Sequence, residues 1–475
     1  MILLWLIPGI GLPTLIGWLA VRLLESTTPV LQRGERWIIG FVLGMTLTMT
    51  VVFYTHALTG IPLSRWGFLT IVLVLLGLLI GLTRLLPIAS MPRPILRPSH
   101  TPLPRWLWIT IIVLGTWTVV KILAAGTTFL LLTPPALDDV VDNWNLRGKM
   151  FFVEQRIVLQ TPDFHGVLQS GDVSAYPPTI PLVKTWLAAL SGTWNEGLIN
   201  SVHLLWYLAA LALLFCILRR LMTLPWALLG VYLLASLPLY LMHGTNPYAD
   251  VCLSVHLFIA VGLLYLGIRS TEQRERESFL RLSAFATALL SLLKNEALVM
   301  HLPILFLVLI VALWKYRGQM NGRSAVRILT WYAGLFLAIV LPWIVYKWSH
   351  GLAFGNAKAL TQMPIAWQPD VLRSIAINTF LEGNWLLLPL LLISLLFLQW
   401  RTAFRTPLFV ISAFTLLVYS VQFPLFMFTP LSTEAVNQTG YARGLIQLMP
   451  LLVFMVTVLI TQVFSKTRGA ELPST

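Results

Sequence analysis

Residues 67–88 read GFLTIVLVLLGLLIGLTRLLPI, a run of 22 residues that carries a single charge, at Arg84. A helix needs roughly 17 to 25 mainly apolar residues to cross the hydrocarbon core of a bilayer. Runs of similar length recur along the chain, and we place spans at residues 2–23, 37–58, 67–88, 106–131, 198–218, 225–243, 250–268, 279–294, 298–315, 327–348, 385–400, 407–428 and 445–465. The sequence therefore predicts an all-α polytopic membrane protein with about 13 transmembrane helices.

The composition excludes the soluble classes of protein. Of the 475 residues, 57% are hydrophobic and 11% are charged, and the mean hydropathy is +0.82. These values are typical of polytopic membrane proteins. Cys216 and Cys252 lie in or beside apolar runs and lack the spacing of metal ligands, so we predict neither a disulfide framework nor a cysteine metal site.

The net charge of +14 would suggest a nucleic-acid partner in a soluble protein. Here the basic residues lie in short loops between apolar runs, as the positive-inside rule requires of cytoplasmic loops. We therefore predict no nucleic-acid partner. The clusters that we place on the cytoplasmic side are Arg33/Arg36, Arg84/Arg93/Arg97/Arg105, Arg219/Arg220, Arg269/Arg274/Arg276/Arg281, Lys315/Arg317/Arg323/Arg327, Arg401/Arg405 and Lys466/Arg468.

The opposite, outer side receives every aspartate of the chain. Its segments are 132–197, 244–250, 294–296, 350–384 and 429–444. Topology signals constrain lysine and arginine but hardly constrain acidic residues, so this gathering of carboxylates needs another reason, and function is the first candidate. Within 132–197 we predict two interfacial helices, at 143–159 and 182–190, joined by the proline-rich turn Tyr176-Pro177-Pro178.

Three carboxylates follow the fourth predicted span, in the sequence Leu137-Asp138-Asp139-Val140-Val141-Asp142. A carboxylate near the interface can act as a general base. The same residues could instead cap and solvate the first interfacial helix. We favour the catalytic reading for Asp138 and Asp139 and the structural reading for Asp142.

Four segments together resemble the GT-C superfamily of membrane glycosyltransferases. They are Trp144-x-x-Arg-x-Lys after the acidic pair, Tyr176-Pro177-Pro178, Tyr248-Ala249-Asp250 at the start of a span, and Lys294-Asn295-Glu296 between two spans. The resemblance covers roughly residues 106–465 and points to the protein O-mannosyltransferase and aminoarabinose transferase branches. It departs from the superfamily at two points. About three extra spans precede the acidic loop, and Asn295-Glu296 follows Lys294 where the superfamily usually has Lys-Gly.

The resemblance implies an inverting transferase that takes a sugar from a polyprenyl phosphate at the outer face of a bacterial cytoplasmic membrane. Asp138 or Asp139 would be the base, and the choice between them is open. Lys294, Arg443, Arg147 and Lys149 would bind the donor phosphate, because the leaving lipid phosphate develops negative charge.

Asp250, Glu296 and Tyr248 would orient the acceptor or the site. Purely structural roles stay open for these residues and for the cations. Asp250 could be a helix-terminal acid, Lys294 and Glu296 could form an ion pair that closes the turn, and Arg443 could anchor a span.

The resemblance also suggests how the chain is divided. Residues 1–105 would form N-terminal transmembrane helices, with the first run retained as a span. Residues 106–465 would form the catalytic region, with 132–197 as its outer loop, and 466–475 a short cytoplasmic tail.

We predict no cofactor and no metal, since His165, His203, His243, His256 and His301 lack the spacing of ligands. The predicted partners are membrane lipids, the lipid-linked sugar, and an acceptor that is a glycan, a lipid or a protein. Two other functions stay open, a transporter or flippase of lipid-linked saccharides and a polysaccharide ligase.

Overall fold

The computed structural model describes residues 2–86, 104–134, 139–162, 168–170, 173–354 and 364–467. Asp138, one of the two predicted bases, lies outside these ranges. So does most of the predicted tail, 466–475.

The N-terminal part consists of four long helices, α1 (Leu6–Glu25), α2 (Arg33–Thr59), α3 (Arg65–Leu85) and α4 (Arg105–Gly126). Helices α1 and α2 pack closely because glycines face each other: a Cβ at Gly17 would collide with the backbone of Gly40 and Gly44. Small residues at such crossings allow membrane helices to approach. These helices also contact the rest of the chain, since Trp186 donates a hydrogen bond of 2.7 Å to the carbonyl of Gly9.

The segment after α4 contains two π-helical turns, Thr127–Leu132 and Val140–Asn145, then α5 (Leu146–Glu154). Strands β1 (Gln160–Pro162) and β2 (Leu168–Ser170) form an antiparallel hairpin in which Gln160 pairs with Ser170, and α6 (Thr179–Ser191) follows. The sequence predicted two interfacial helices here, and the structure has a helix at each of the two places, α5 and α6. Helix α6, however, is buried from Thr179 to Leu190, packed among α1, α2, α5 and α7, because nearly all its side chains are apolar or small.

The central part runs from α7 (Glu196–Arg219) through α8 (Leu224–Ser236) and α9 (Pro238–Gly244) to α10 (Asp250–Arg269) and α11 (Gln273–Leu290). The sequence predicted a single span over 225–243, but α8 and α9 are bent by 76° relative to each other. Pro238 lies at the bend, where it cannot donate a helical hydrogen bond. Helix α10 is buried from Asp250 to Ile268, against α7, α11 and α20.

The C-terminal part begins with a π-helical turn, Ala297–His301. The α-helices that follow are α12 (Leu302–Lys315), α13 (Gly322–Leu335), α14 (Leu341–Ser349), α15 (Val371–Phe380), α16 (Leu388–Leu398), α17 (Trp400–Arg405), α18 (Phe409–Phe428), α19 (Ser432–Val436) and α20 (Gly440–Thr467). A second π-helical turn, Phe336–Val340, joins α13 to α14.

Within the described residues, ten helices are long and apolar enough to cross a membrane, or eleven if the bent pair α8–α9 is one span. The predicted count of 13 is therefore not confirmed. The other two predicted spans fall on α11 and α16. Helix α11 begins with the charged stretch Gln273-Arg274-Glu275-Arg276-Glu277, and α16 has only 11 residues.

At the end of the helices that carries the arginine clusters, buried glutamates form ion pairs with arginines. Buried Glu25 binds Arg36 at 2.7 Å and accepts two backbone hydrogen bonds, and Glu35 pairs with Arg220. Arg36 and Arg220, two of the arginines that we place on the cytoplasmic side, are thus paired inside the protein.

Candidate functional site

At the opposite end of the helices, Asp250 is the centre of a buried charge cluster. It is the first residue of α10 and is fully buried. Lys294 Nζ lies 2.8 Å and Gln447 Nε2 3.1 Å from its Oδ1. Arg443 Nε lies 3.1 Å and His243 Nδ1 3.5 Å from its Oδ2. A buried carboxylate is tolerated only when it is paired and hydrogen-bonded in this way, so Asp250 fixes its two cations in place.

Arg443 connects this cluster to the acidic loop. Its Nε faces Asp250, and its Nη1 forms an ion pair with Asp139. The guanidinium also lies over the ring of Tyr248, 5.2 Å from the ring centroid, and this ring stacks on His243. A planar guanidinium can bind two carboxylates and an aromatic face at once, which lysine cannot do. The structure therefore brings together Asp139, Asp250, Tyr248 and Arg443, four of the residues that the sequence singled out.

Lys294 and Glu296 belong to the same cluster, on the short connection between α11 and the turn Ala297–His301. Lys294 Nζ lies 3.3 Å from Glu296 Oε1. Burial lowers the pKa of Lys294, but the charges of Asp250 and Glu296 outweigh this effect and the pKa is raised above its usual value. The ammonium group is therefore charged at neutral pH.

Four residues of the cluster, Asp139, Lys294, Glu296 and Arg443, line a cavity of about 280 Å³ at the ends of the helices. Its charged lining consists of Lys294 and Arg443 together with three carboxylates, Asp139, Glu296 and Glu434. The remaining lining residues are Val173, Tyr176, Met300, Gln422, Leu425, Phe426, Leu431, Gly440, Gly444 and Gln447. A concave site with a few convergent polar groups is the usual form of a ligand site.

Arg147 and Lys149, which the sequence predicted as ligands of the donor phosphate, lie outside the cavity lining. Arg147 is buried, and its guanidinium donates 3.0 Å to the carbonyl of Tyr176 and 3.4 Å to Asn143 Oδ1. Burial lowers its pKa to about 9. Lys149 is exposed, on the other side of α5.

The loop that carries Tyr176 is held by two cations. Arg147 binds the carbonyl of Tyr176, and Lys347 binds the carbonyl of Ala175 and, at 3.0 Å, Asn295 Oδ1. Burial and the nearby Glu296 and Asp139 raise the pKa of Tyr176 well above its usual value, so its hydroxyl stays protonated beside the cavity.

A second buried polar cluster lies behind α5. Lys184 donates to Asn145 Oδ1 and, at 3.1 Å, to Asn200 Oδ1. Glu196 accepts hydrogen bonds from both asparagines. Burial lowers the pKa of Lys184 to about 7, although the charge of Glu196 acts in the other direction.

Sequence reasoning missed several residues of the site. Gln447 and Gln422 line the cavity, and His243 contacts Asp250. A signal existed for the two glutamines, because polar residues inside predicted spans are rare and mark sites. His243 had no such signal, since it was one of several scattered histidines. In the part of the chain that the structure describes, no three histidine, cysteine or acidic side chains are grouped as metal ligands.

No protein-family model and no curated protein matches the chain. Among solved structures, it is similar to ArnT from Cupriavidus metallidurans in the apo state, with a TM-score of 0.50 and 14% identity. It is also similar to ArnT from the same organism bound to undecaprenyl phosphate, with a TM-score of 0.51 and 13% identity. Each match covers 76% of this chain and 61% of the ArnT chain, which is less than two thirds of ArnT.

At this identity the similarity establishes the fold. The chain is a polytopic α-helical membrane protein with a fold similar to that of ArnT, which confirms the all-α membrane fold predicted from the sequence.

Proposed function

We propose that this protein is an integral-membrane glycosyltransferase that moves a sugar from a polyprenyl phosphate to an acceptor hydroxyl. The observation that carries the proposal is the pair of cations in one cavity: Lys294 and Arg443 both line it, and buried Asp250 binds both. Fixed cations at the place where charge develops stabilise a transition state without reorganisation.

The leaving group explains the need for two cations. When the bond between the anomeric carbon and the phosphate oxygen breaks, the lipid phosphate gains negative charge. Lys294 and Arg443 would bind this phosphate. Each cation has carboxylate neighbours, so the pair keeps its position when no phosphate is present.

The base would be Asp139 or its neighbour Asp138. Asp139 lines the cavity, and its side chain is 36% exposed, while that of Asp250 is fully buried. In the proposed step the carboxylate takes the proton of the acceptor hydroxyl, the hydroxyl oxygen attacks the anomeric carbon, and the polyprenyl phosphate leaves. A single displacement of this kind inverts the configuration at the anomeric carbon.

The nature of the donor lipid is supported by the solved structure of similar fold that contains undecaprenyl phosphate. Such a lipid reaches a cavity at the helix ends from within the bilayer. The acceptor would be a glycan, a lipid or a protein. Residues 106–465 would form the catalytic region.

We infer that the cavity faces the outer side of a bacterial cytoplasmic membrane. The support is the charge at the other end of the helices, where Arg219, Arg269, Lys315 and Arg405 lie in the last turns of their helices. Basic residues of this kind mark the cytoplasmic side.

One feature favours a second candidate, a flippase for lipid-linked saccharides. Helices α8 and α9 form a broken span, and α9 brings His243 to Asp250. Broken helices at a polar site are typical of transporters. A flippase would move a labelled lipid-linked sugar across a proteoliposome membrane without releasing the sugar, whereas a transferase would release polyprenyl phosphate.

A binding experiment tests the proposal. Purified protein in nanodiscs should bind undecaprenyl phosphate, and the double variant Lys294→Met/Arg443→Met should bind it at least tenfold more weakly. Equal binding by the wild type and the double variant would show that the cation pair is not the phosphate site.

A further inference from the structure

Gln422 has a buried side-chain amide whose hydrogen-bonding groups have no partner among the described residues. It is 2% exposed, and both Oε1 and Nε2 are unpaired. It lies in α18, inside a span, and it lines the cavity that contains Lys294 and Arg443. An unpaired buried amide costs free energy, and polar groups inside spans are functional by default.

The amide fits against a glycine of the neighbouring helix. A Cβ added at Gly444 of α20 would lie 3.0 Å from Gln422 Cδ and closer still to its oxygen. Glycine at 444 therefore leaves the space that the amide occupies. Gly444 directly follows Arg443, so the Gln422 amide packs against the turn of α20 that carries the proposed phosphate-binding cation.

Two more unpaired atoms lie at the same cavity. Gln447 uses its Nε2 for Asp250, and within the described ranges its Oε1 has no partner. Glu296 uses Oε1 for Lys294, and its buried Oε2 is likewise unpaired in the described part of the chain. The cavity therefore offers three free acceptor atoms, one each from Gln422, Gln447 and Glu296, and one free donor group, Gln422 Nε2. This count uses the orientation of the Gln422 amide in the structure.

This set determines the chemistry of the group that it can bind. A hydroxyl group both donates and accepts hydrogen bonds, so it can pair with both ends of the Gln422 amide. An ammonium group only donates, and a carboxylate only accepts. A carboxylate would also meet the negative charges of Asp139, Glu296 and Glu434.

We propose that Gln422 and Gln447 bind hydroxyl groups of the transferred sugar, and that the site selects an uncharged sugar over a uronic acid. This inference rests on the proposed function, since it divides the cavity into a phosphate side at Lys294 and Arg443 and a sugar side at the two glutamines.

The experiment compares binding of several lipids to protein in nanodiscs. The probes are bare undecaprenyl phosphate and undecaprenyl phosphate carrying glucose, mannose, arabinose or glucuronic acid. Wild type should bind at least one neutral-sugar donor roughly tenfold more tightly than the bare lipid phosphate, and more tightly than the glucuronic acid donor.

Two variants test the Gln422 amide: one removes it and the other displaces it. Gln422→Leu, which is similar in size, should lose this tenfold gain and still bind the bare lipid phosphate like wild type. Gly444→Ala should have the same effect by pushing the amide aside. Asn378→Leu is the matched control, because Asn378 is also a fully buried amide without a partner in the described residues and does not line the cavity.

A folding defect is distinguishable from the proposed role. Removal of an unpaired buried amide should leave the thermal midpoint of Gln422→Leu equal to or above that of wild type. The inference is overturned if wild type shows no preference for a neutral-sugar donor, or if Gln422→Leu keeps that preference. If wild type binds none of these lipids, the proposed function itself fails.

Discussion

The Lys294 ammonium and the Asp250 carboxylate form a fully buried ion pair, 2.8 Å apart, where α10 begins. Arg443 contacts the other oxygen of the same carboxylate at 3.1 Å. One buried acid thus serves two buried or partly buried cations. This arrangement holds Lys294 and Arg443 in fixed positions beside the cavity, where we place the phosphate of the donor.

Asp250→Asn should destabilise the protein, because it leaves Lys294 buried without its full counter-charge. Removing one partner of a buried pair costs roughly 3–5 kcal/mol. The double variant Asp250→Asn/Lys294→Met should recover part of this loss, since the uncompensated charge is also removed. Unfolding followed by thermal denaturation in detergent checks both results. A double variant that is less stable than Asp250→Asn would show that the pair is not the main interaction.

Lys294→Met should impair use of the donor more than use of the acceptor. We expect the KM for the lipid-phosphate sugar to rise by roughly tenfold or more, because a charge-assisted contact to the phosphate is lost. The KM for the acceptor should change little. Lys315→Met, at the other end of α12, is the matched control. An equal loss for both substrates would indicate a folding role for Lys294.

Cysteine labelling should establish the orientation of the protein. Lys149 and Arg317 are both exposed, and they lie at opposite ends of the helices. In a variant whose Cys216 and Cys252 are replaced, Lys149→Cys should react with a membrane-impermeant maleimide in intact spheroplasts. Arg317→Cys should react only after the membrane is opened. The reverse pattern would contradict an outward-facing cavity.

The buried Lys184 should make stability depend on pH. Its pKa falls from 10.5 to about 7 on folding, so between these values the unfolded chain binds more protons than the folded one. Stability therefore rises with pH in this window, and below about pH 7 the contribution is constant.

The comparison to make is with Lys184→Met, which lacks this titration. The thermal midpoint of wild type relative to the variant should rise from about pH 7 to about pH 9 and stay level at lower pH. Parallel curves for the two proteins across this range would show that folding does not lower the pKa of Lys184.

The sequence predicted the fold class and singled out four charged residues that the structure places in one cluster. Long apolar runs and loop charges follow local rules, so the spans could be placed from composition alone. Asp139, Asp250, Lys294 and Arg443 stood out because charges are rare in this chain. Their meeting in one cluster followed from topology, since all four lie at the same end of the helices.

The remainder depended on tertiary packing. Arg147 lies on the predicted helix, but the sequence does not tell which face of α5 is buried. In the structure its guanidinium donates to the carbonyl of Tyr176, and Arg147 is not part of the cavity lining. Gln422 and Gln447 are uncharged, and their importance becomes visible only when their missing partners are known. The bend at Pro238 likewise depends on neighbours that accommodate it.

The most direct test of the central claim is sugar transfer or hydrolysis from a radiolabelled polyprenyl-phosphate sugar by purified protein in nanodiscs. Wild type is compared with Asp138→Asn, Asp139→Asn and the control Asp142→Asn, whose aspartate is exposed. We predict that wild type and the control release polyprenyl phosphate, and that one of the first two variants loses activity by roughly 100-fold or more while its folding is unchanged. If wild type shows no turnover with any donor sugar, or if all three variants stay fully active, the account is contradicted.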